Sequence, residues 1–121
     1  MLFNKDIAQL AQQNTLFRQE LVTTQKSQIV LMSIPPHTDI GSEVHDVDQI
    51  VIIVSGRGET QINGHASFIG PNHMIIVPAG SNHNFINTGT HDLKLYTIYA
   101  PPAHKPGARA TTKAEARANP E

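Results

Sequence analysis

Between Gln28 and Tyr99 the sequence is a run of short β-branched segments cut by turn residues, and this punctuation restricts the fold more than any other feature. Ser55-Gly56-Arg57-Gly58, Asn63-Gly64, Gly70-Pro71-Asn72, Pro78-Ala79-Gly80 and Asn87-Thr88-Gly89 each put glycine, asparagine or proline where the chain must reverse. Glycine and asparagine tolerate positive φ, and proline presets a turn corner. Asn63-Gly64 is the strongest hairpin signal, because a type I′ turn needs positive φ at both central residues. The intervening segments, Gln49 to Val54, Gly58 to Ile62, Ala66 to Ile69, Met74 to Val77, Asn82 to Asn87 and Leu93 to Tyr99, have strand length and no helix between them. Parallel neighbours need crossovers of about a dozen residues or more. The sequence therefore predicts an all-β, antiparallel sandwich or barrel.

Two further strand-like runs, Leu16 to Thr23 and Gln28 to Ile34, flank the polar stretch Thr24-Gln25-Lys26-Ser27 and read as a hairpin. Pro35-Pro36 ends that pairing, since proline offers no amide hydrogen. In front, Phe3 to Gln13 carries Ile7, Leu10 and Ala11 at helical spacing with Asn4 placed to cap, which predicts a short amphipathic helix. After Tyr99, prolines at 101, 102 and 106 break the strand pattern, and the polar, alanine-bearing stretch from Ala108 is expected to fray or to form a loose helix. The expected organisation is an N-terminal helix (1–15), one β-barrel domain (16–102) and a flexible tail (103–121). A chain of 121 residues supports one core of this kind.

Charge and residue usage remove several function classes. A net charge of -1 lacks the positive bias of proteins that track phosphate backbones, so no nucleic-acid partner is expected. The longest apolar run, Ile50 to Val54, falls far short of the roughly 20 residues that span a bilayer, and Asp6 precedes any signal-like stretch. The expectation is a cytoplasmic protein with no membrane partner. The absence of cysteine excludes disulfides, thiolate metal sites and cysteine nucleophiles. Seven histidines outnumber the six Phe and Tyr residues combined, so imidazole is the chemistry in excess.

Four potential metal donors fall near strand segments: Glu43, His45 and Gln49 in one group, and His83 in a second. Residues two apart in an extended chain leave the same face, so Glu43 and His45 are expected side by side, with Gln49 of matching parity if no bulge intervenes. The group runs into Ile50 to Val54, apolar on both faces, which puts the donors at the entrance to a packed interior. Buried polar groups need partners. A divalent zinc, iron, manganese or nickel ion accepts imidazole, carboxylate and amide oxygen together. The remaining histidines, His37, His65, His73, His91 and His104, lie in loop-like contexts and are expected at the surface. Asp46 and Asp48 are expected to point to solvent. Tyr96 and Tyr99 fall on opposite faces of the last strand, so one of them faces the interior.

Pro78-x-Gly80-x-x-His83-x-x-x-Asn87 resembles the second motif of the cupin superfamily in every named position. Gly41-x-x-x-His45-x-x-x-Gln49, with Gly56 beyond it, resembles the first, except that Glu43 stands where that family's first histidine would be and Gln49 where its glutamate would be. The likeness spans about residues 28 to 102 and is that of small single-domain bacterial cupins. It implies a double-sheet jelly-roll barrel and a metal centre formed by Glu43, His45, Gln49 and His83. The two departures compensate: the carboxylate moves to the first position and the last becomes neutral, so one negative charge still faces the dication.

The resemblance implies a metal-dependent enzyme acting on a small sugar or sugar acid by isomerising, ketonising or lyase chemistry, the metal serving as Lewis acid. Two alternatives stand beside it. Glu43, His45 and His83 match the two-histidine, one-carboxylate face of iron(II) dioxygenases. A barrel with this altered first motif can also act as a non-catalytic small-ligand sensor. A homodimer is expected, because Leu16 to Val22 would leave an open sheet edge that a second copy covers.

Overall fold

In the computed structural model, which describes residues 2–118, the chain runs α1 (Ile7–Gln13), β1 (Arg18–Thr23), β2 (Gln28–Ile34), β3 (Glu43–Val44), β4 (Asp48–Ser55), β5 (Gly58–Ile62), β6 (His65–Ile69), β7 (Met74–Val77), β8 (Asn82–Asn87), β9 (Leu93–Ala100), β10 (Arg109–Ala110) and α2 (Lys113–Ala118). The strands form a six-stranded sheet, β10-β1-β2-β9-β4-β7, and a four-stranded sheet, β3-β8-β5-β6. Every pairing is antiparallel. The result is the antiparallel sandwich expected from the turn pattern and the double-sheet jelly roll that the cupin resemblance implies. Asn63 and Gly64 join β5 to β6 with φ of 49° and 84°, the paired positive values that a type I′ hairpin demands.

Alternation decides which side chains enter the space between the sheets. Val30, Met32 and Ile34 of β2, Val51 and Ile53 of β4, and Leu93 and Leu95 of β9 point inward and meet Phe85 of β8 and Ile69 of β6. Burying each large apolar side chain contributes about 1.5–3 kcal/mol, so this layer is the main source of stability. The opposite parity of β9 faces outward, where α1 packs across β9, β2 and β4. Ala11 is fully buried there, and the ammonium of Lys94 donates to the Asn14 carbonyl at the helix's C-terminal end, where the dipole favours a cation. The helix is thus a cover for the sheet's outer face.

Three sequence expectations change. The cap of α1 is Asp6, whose carboxylate accepts the Gln9 amide hydrogen at 3.1 Å; the helix starts a half-turn later than an Asn4 cap would set it. The segment expected as a flexible tail packs onto the barrel over its described part. β10 pairs with β1 at Arg18↔Ala110 and Gln19↔Arg109, and α2 buries Ala116 against the core. That same pairing covers β1 at Arg18 and Gln19, so part of the edge invoked for a homodimer at Leu16 to Val22 is occupied within the chain. Finally, none of the described helices is long and apolar enough to cross a membrane.

Candidate metal centre

Backbone pairing brings the donor groups together. β3 and β8 are antiparallel with Glu43 directly opposite His83, so the carboxylate of the first group and the imidazole of the second form a cross-strand pair. His45 follows two residues after Glu43, on the same side, and its Nε2 lies 3.7 Å from Glu43 Oε1. The chain then bends at Asp46 and Val47 and enters β4 in the other sheet. Gln49 consequently lies on the other sheet, where its amide donates to the Tyr99 hydroxyl, and the Tyr99 ring stands 5.4 Å from that of His45; the same-face parity expected for it along one continuous strand does not apply.

The turn of the second motif locks this geometry. Gly80, at φ +85°, donates its amide hydrogen to the His45 carbonyl at 2.7 Å, and Asp48 accepts the Ala79 amide hydrogen at 3.0 Å. Asp48, exposed as expected, also ties the two motifs together at their turns. Asn87, with no exposed surface, donates to the carbonyls of Ile34 and His91 and accepts from the Gly89 amide, each at 2.8 Å. Its role is to pin the β8–β9 turn to β2.

Three acceptor-capable atoms in this interior, His45 Nε2, His83 Nε2 and Gln49 Oε1, are shielded from solvent and make no hydrogen bond among the described residues. For His83 the reason is local: its Nδ1 lies 3.0 Å from the Ser81 carbonyl, which accepts a proton only from an Nδ1–H tautomer and so turns the Nε2 lone pair inward. Gln49 spends its amide hydrogen on the Tyr99 hydroxyl at 3.4 Å, which leaves Oε1 as the inward atom. Leaving such atoms unsatisfied costs about 1–3 kcal/mol each. One carboxylate and two imidazoles, Glu43, His45 and His83, have donor atoms within 4.8 Å of one another, a group of the kind that holds a divalent ion. At metal–ligand distances near 2.0–2.2 Å, cis donors lie roughly 3–3.5 Å apart. The observed 3.7 Å between Glu43 and His45 is close to that, so the residues fit the ion.

Electrostatics agree with this chemistry. Burial lowers the His83 pKa, overcoming the Ser81 bond and Glu43, and keeps the imidazole neutral as a ligand must be. For Glu43, burial favours the neutral acid, but the imidazoles of His45 and His83 and the charge of Arg18 outweigh it, and its pKa falls below the usual carboxylate value. Tyr99 is the inward tyrosine, with its ring 5.4 Å from that of His45, while Tyr96 lies on the opposite face of β9. Burial first, and then Glu43, push the Tyr99 phenol far above its ordinary range, so it stays protonated as a hydrogen-bond donor.

Two residues that the sequence reading did not select belong to this neighbourhood. His104 was expected at the surface with His37, His65, His73 and His91. Those four are exposed, but the His104 ring stands 5.2 Å from Tyr99 and 6.2 Å from His45. Gln28 holds it there: buried in β2, its Oε1 accepts the amide hydrogens of Ala103 and His104, and its Nε2 donates to the His104 carbonyl. Arg18, 8% exposed at the start of β1, sends its charge toward both Glu43 and Tyr99. Its burial follows from the pairing of β1 with β2 and β10, which no local pattern announces.

A two-sheet barrel with carboxylate and imidazole donors gathered between its sheets defines the class of small jelly-roll domains with an internal centre. The cupin domain family model matches residues 30–99, and the chain belongs to that family. It is 43% identical over 121 aligned residues to the uncharacterized protein YrkC of Bacillus subtilis, covering 94% of this chain and 65% of that protein. An uncharacterized protein of Acanthamoeba polyphaga mimivirus is 40% identical over 101 residues, covering 78% of this chain and 62% of the relative. The chain thus spans less than two thirds of the length of these curated relatives. The crystal structure of BH2720 from Bacillus halodurans is 40% identical, with a TM-score of 0.95, and the match covers 98% of this chain and 95% of that one.

Proposed function

We propose that this cupin is a metal-dependent enzyme for a small, oxygen-rich substrate such as a sugar or sugar acid, with Glu43, His45, Gln49 and His83 holding one first-row divalent ion. The observation that carries the reading is the meeting of two imidazoles, each with a shielded Nε2 that has no hydrogen-bond partner among the described residues, beside the Glu43 carboxylate, with Gln49 Oε1 a third buried acceptor in the same state. One bound dication would satisfy all of them. It would supply Lewis-acid polarisation of substrate oxygens, favouring isomerising, ketonising or lyase chemistry. The chain's own groups supply the rest. Ser81 fixes the His83 tautomer, Tyr99 presents a phenol that keeps its proton beside the donors, and His104, clamped by Gln28, is the nearby group suited to exchanging a proton with substrate.

The test is elemental analysis of protein purified without chelator. The expected content is about one transition metal per chain, lost in Glu43→Ala and His83→Ala variants. Full metal content in both variants would refute the assignment. A second reading, iron(II)-dependent oxygenation, is favoured by one specific observation: the tightest donor group is two imidazoles and one carboxylate. Oxygen uptake by the iron-loaded protein with candidate substrates separates it from the first.

A further inference from the structure

A cavity of about 210 Å³ lies beside the donor cluster, lined by Phe17, Arg18, Ile40, Glu43, Lys113 and Arg117 together with Ser42 and Ala116. It is assembled from three separate parts of the chain. β1 supplies Phe17 and Arg18, the approach to β3 supplies Ile40 through Glu43, and α2 supplies the remainder. α2 bridges the gap between the two sheets at this end. Lys113 pairs with Asp39, Asp39 in turn accepts from the Asn84 amide, and Asn84 accepts the Gly41 amide hydrogen. The Arg117 guanidinium packs against Gly41, which sits at φ +99° and has no side chain to obstruct it.

The wall is strongly uneven in charge. Among the described residues three cationic side chains, Arg18, Lys113 and Arg117, and one carboxylate line the cavity, with Lys113 paired to Asp39 outside the wall. Arg18 is the deepest of the cations, and its charge is felt at Glu43 and Tyr99, which puts it between the cavity and the donor cluster. Glu43 belongs to both. The volume equals that of about seven waters at the liquid value of ≈ 30 Å³ each, and lies below the roughly 300–1,000 Å³ of pockets for drug-sized ligands. A molecule of a few carbons fits this volume.

We propose that this cavity is the recognition site for a small hydroxy-carboxylate, its carboxylate held by Arg18 and Arg117 and its hydroxyl end directed toward Glu43. Guanidinium groups match a carboxylate with two parallel hydrogen bonds, and the partly enclosed setting strengthens them. The Glu43 carboxylate on the same wall disfavours a compact dianion such as phosphate and favours a ligand whose negative end is separate from its neutral, oxygen-bearing end. This deepens the proposed function by naming its substrate class. It also assigns α2 a purpose, since two of the three cations come from this helix.

The experiment uses the full chain treated with EDTA, followed by amide chemical-shift titration with lactate, with its neutral isostere lactamide, and with inorganic phosphate at the same ionic strength. Lactate should shift amides of Arg18, Gly41, Ser42 and the α2 residues saturably, and lactamide should not. Phosphate should bind more weakly than lactate. Arg117→Gln, a change at an exposed side chain, should weaken lactate at least tenfold, as should Arg18→Gln, while Arg57→Gln on the distant β4–β5 turn should leave it unchanged. Equal response to lactate and lactamide, tighter phosphate binding, or an unaffected Arg117→Gln variant overturns the proposal. If Arg18→Gln does not fold, Arg117→Gln and Lys113→Gln still decide. Because these titrations need no metal, a chain that takes lactate but no metal upholds this site and refutes only the metal centre, and the reverse result refutes only this site.

Discussion

Replacing Gln49 by methionine should reverse the order of stability between metal-free and metal-loaded protein. Gln49 is 3% exposed, and its Oε1 has no hydrogen-bond donor among the described residues. Methionine keeps the length and the absence of branching, so it creates neither a cavity nor overpacking. Removing the orphaned oxygen should recover about 1–3 kcal/mol, and losing the Gln49–Tyr99 bond, long at 3.4 Å, should cost about 0.5–1.5 kcal/mol. The expected net gain without metal is about 1 kcal/mol, or about 3–6 °C in Tm for a domain of this size. With metal at a hundred times the wild-type Kd, the wild type gains about 2.7 kcal/mol. A variant whose affinity is a hundredfold weaker gains only about 0.4 kcal/mol under the same conditions. Thermal melts in EDTA and then in saturating manganese or zinc therefore cross over. A variant less stable than wild type in EDTA, yet stabilised as much by metal, would show that Gln49 is a structural amide and no ligand.

Acid sensitivity follows from the two shifted donors. The folded-state pKa of His83 is depressed below 6.5, so the unfolded state binds more protons as pH falls beneath that value, and stability of the metal-free protein declines from there downward. Glu43, depressed below 4.5, adds stability that is present above 4.5 and is lost as pH falls through its folded value. Urea midpoints across this range should show both limbs, and His83→Gln should remove the upper one; an unchanged profile in that variant contradicts the assignment. Asn87→Ala strands the Ile34 carbonyl and two turn groups and should cost about 2–5 kcal/mol, read from urea unfolding. Gln28→Ala removes the three bonds that hold residues 103–104, and should cost about 2–4 kcal/mol while shifting the His104 ring resonances; ring shifts identical to wild type would place the clamp elsewhere.

The turn chemistry and period-two alternation from Gln28 to Tyr99 determined the antiparallel sandwich, because both are properties of a residue and its near neighbours: positive φ at Asn63-Gly64, and side chains leaving alternate faces of each strand. The second motif was legible for the same reason, since the positive φ of Gly80 and the Asn87 bonds to Gly89 and His91 are local, while the Gly80 bond to His45 and the Asn87 bond to Ile34 are not. Only the tertiary structure decided the remainder. It decided that Glu43 stands opposite His83, that Gln49 lies on the other sheet, and that Tyr99 rather than Tyr96 faces inward. Sequence also missed Arg18, His104 and the α2 cations, which join the site through contacts between segments far apart in the chain. Local pattern fixes what each segment becomes, but which segments share a cavity depends on strand order and on where a terminal strand finds an unpaired edge, and no short stretch of residues carries that information.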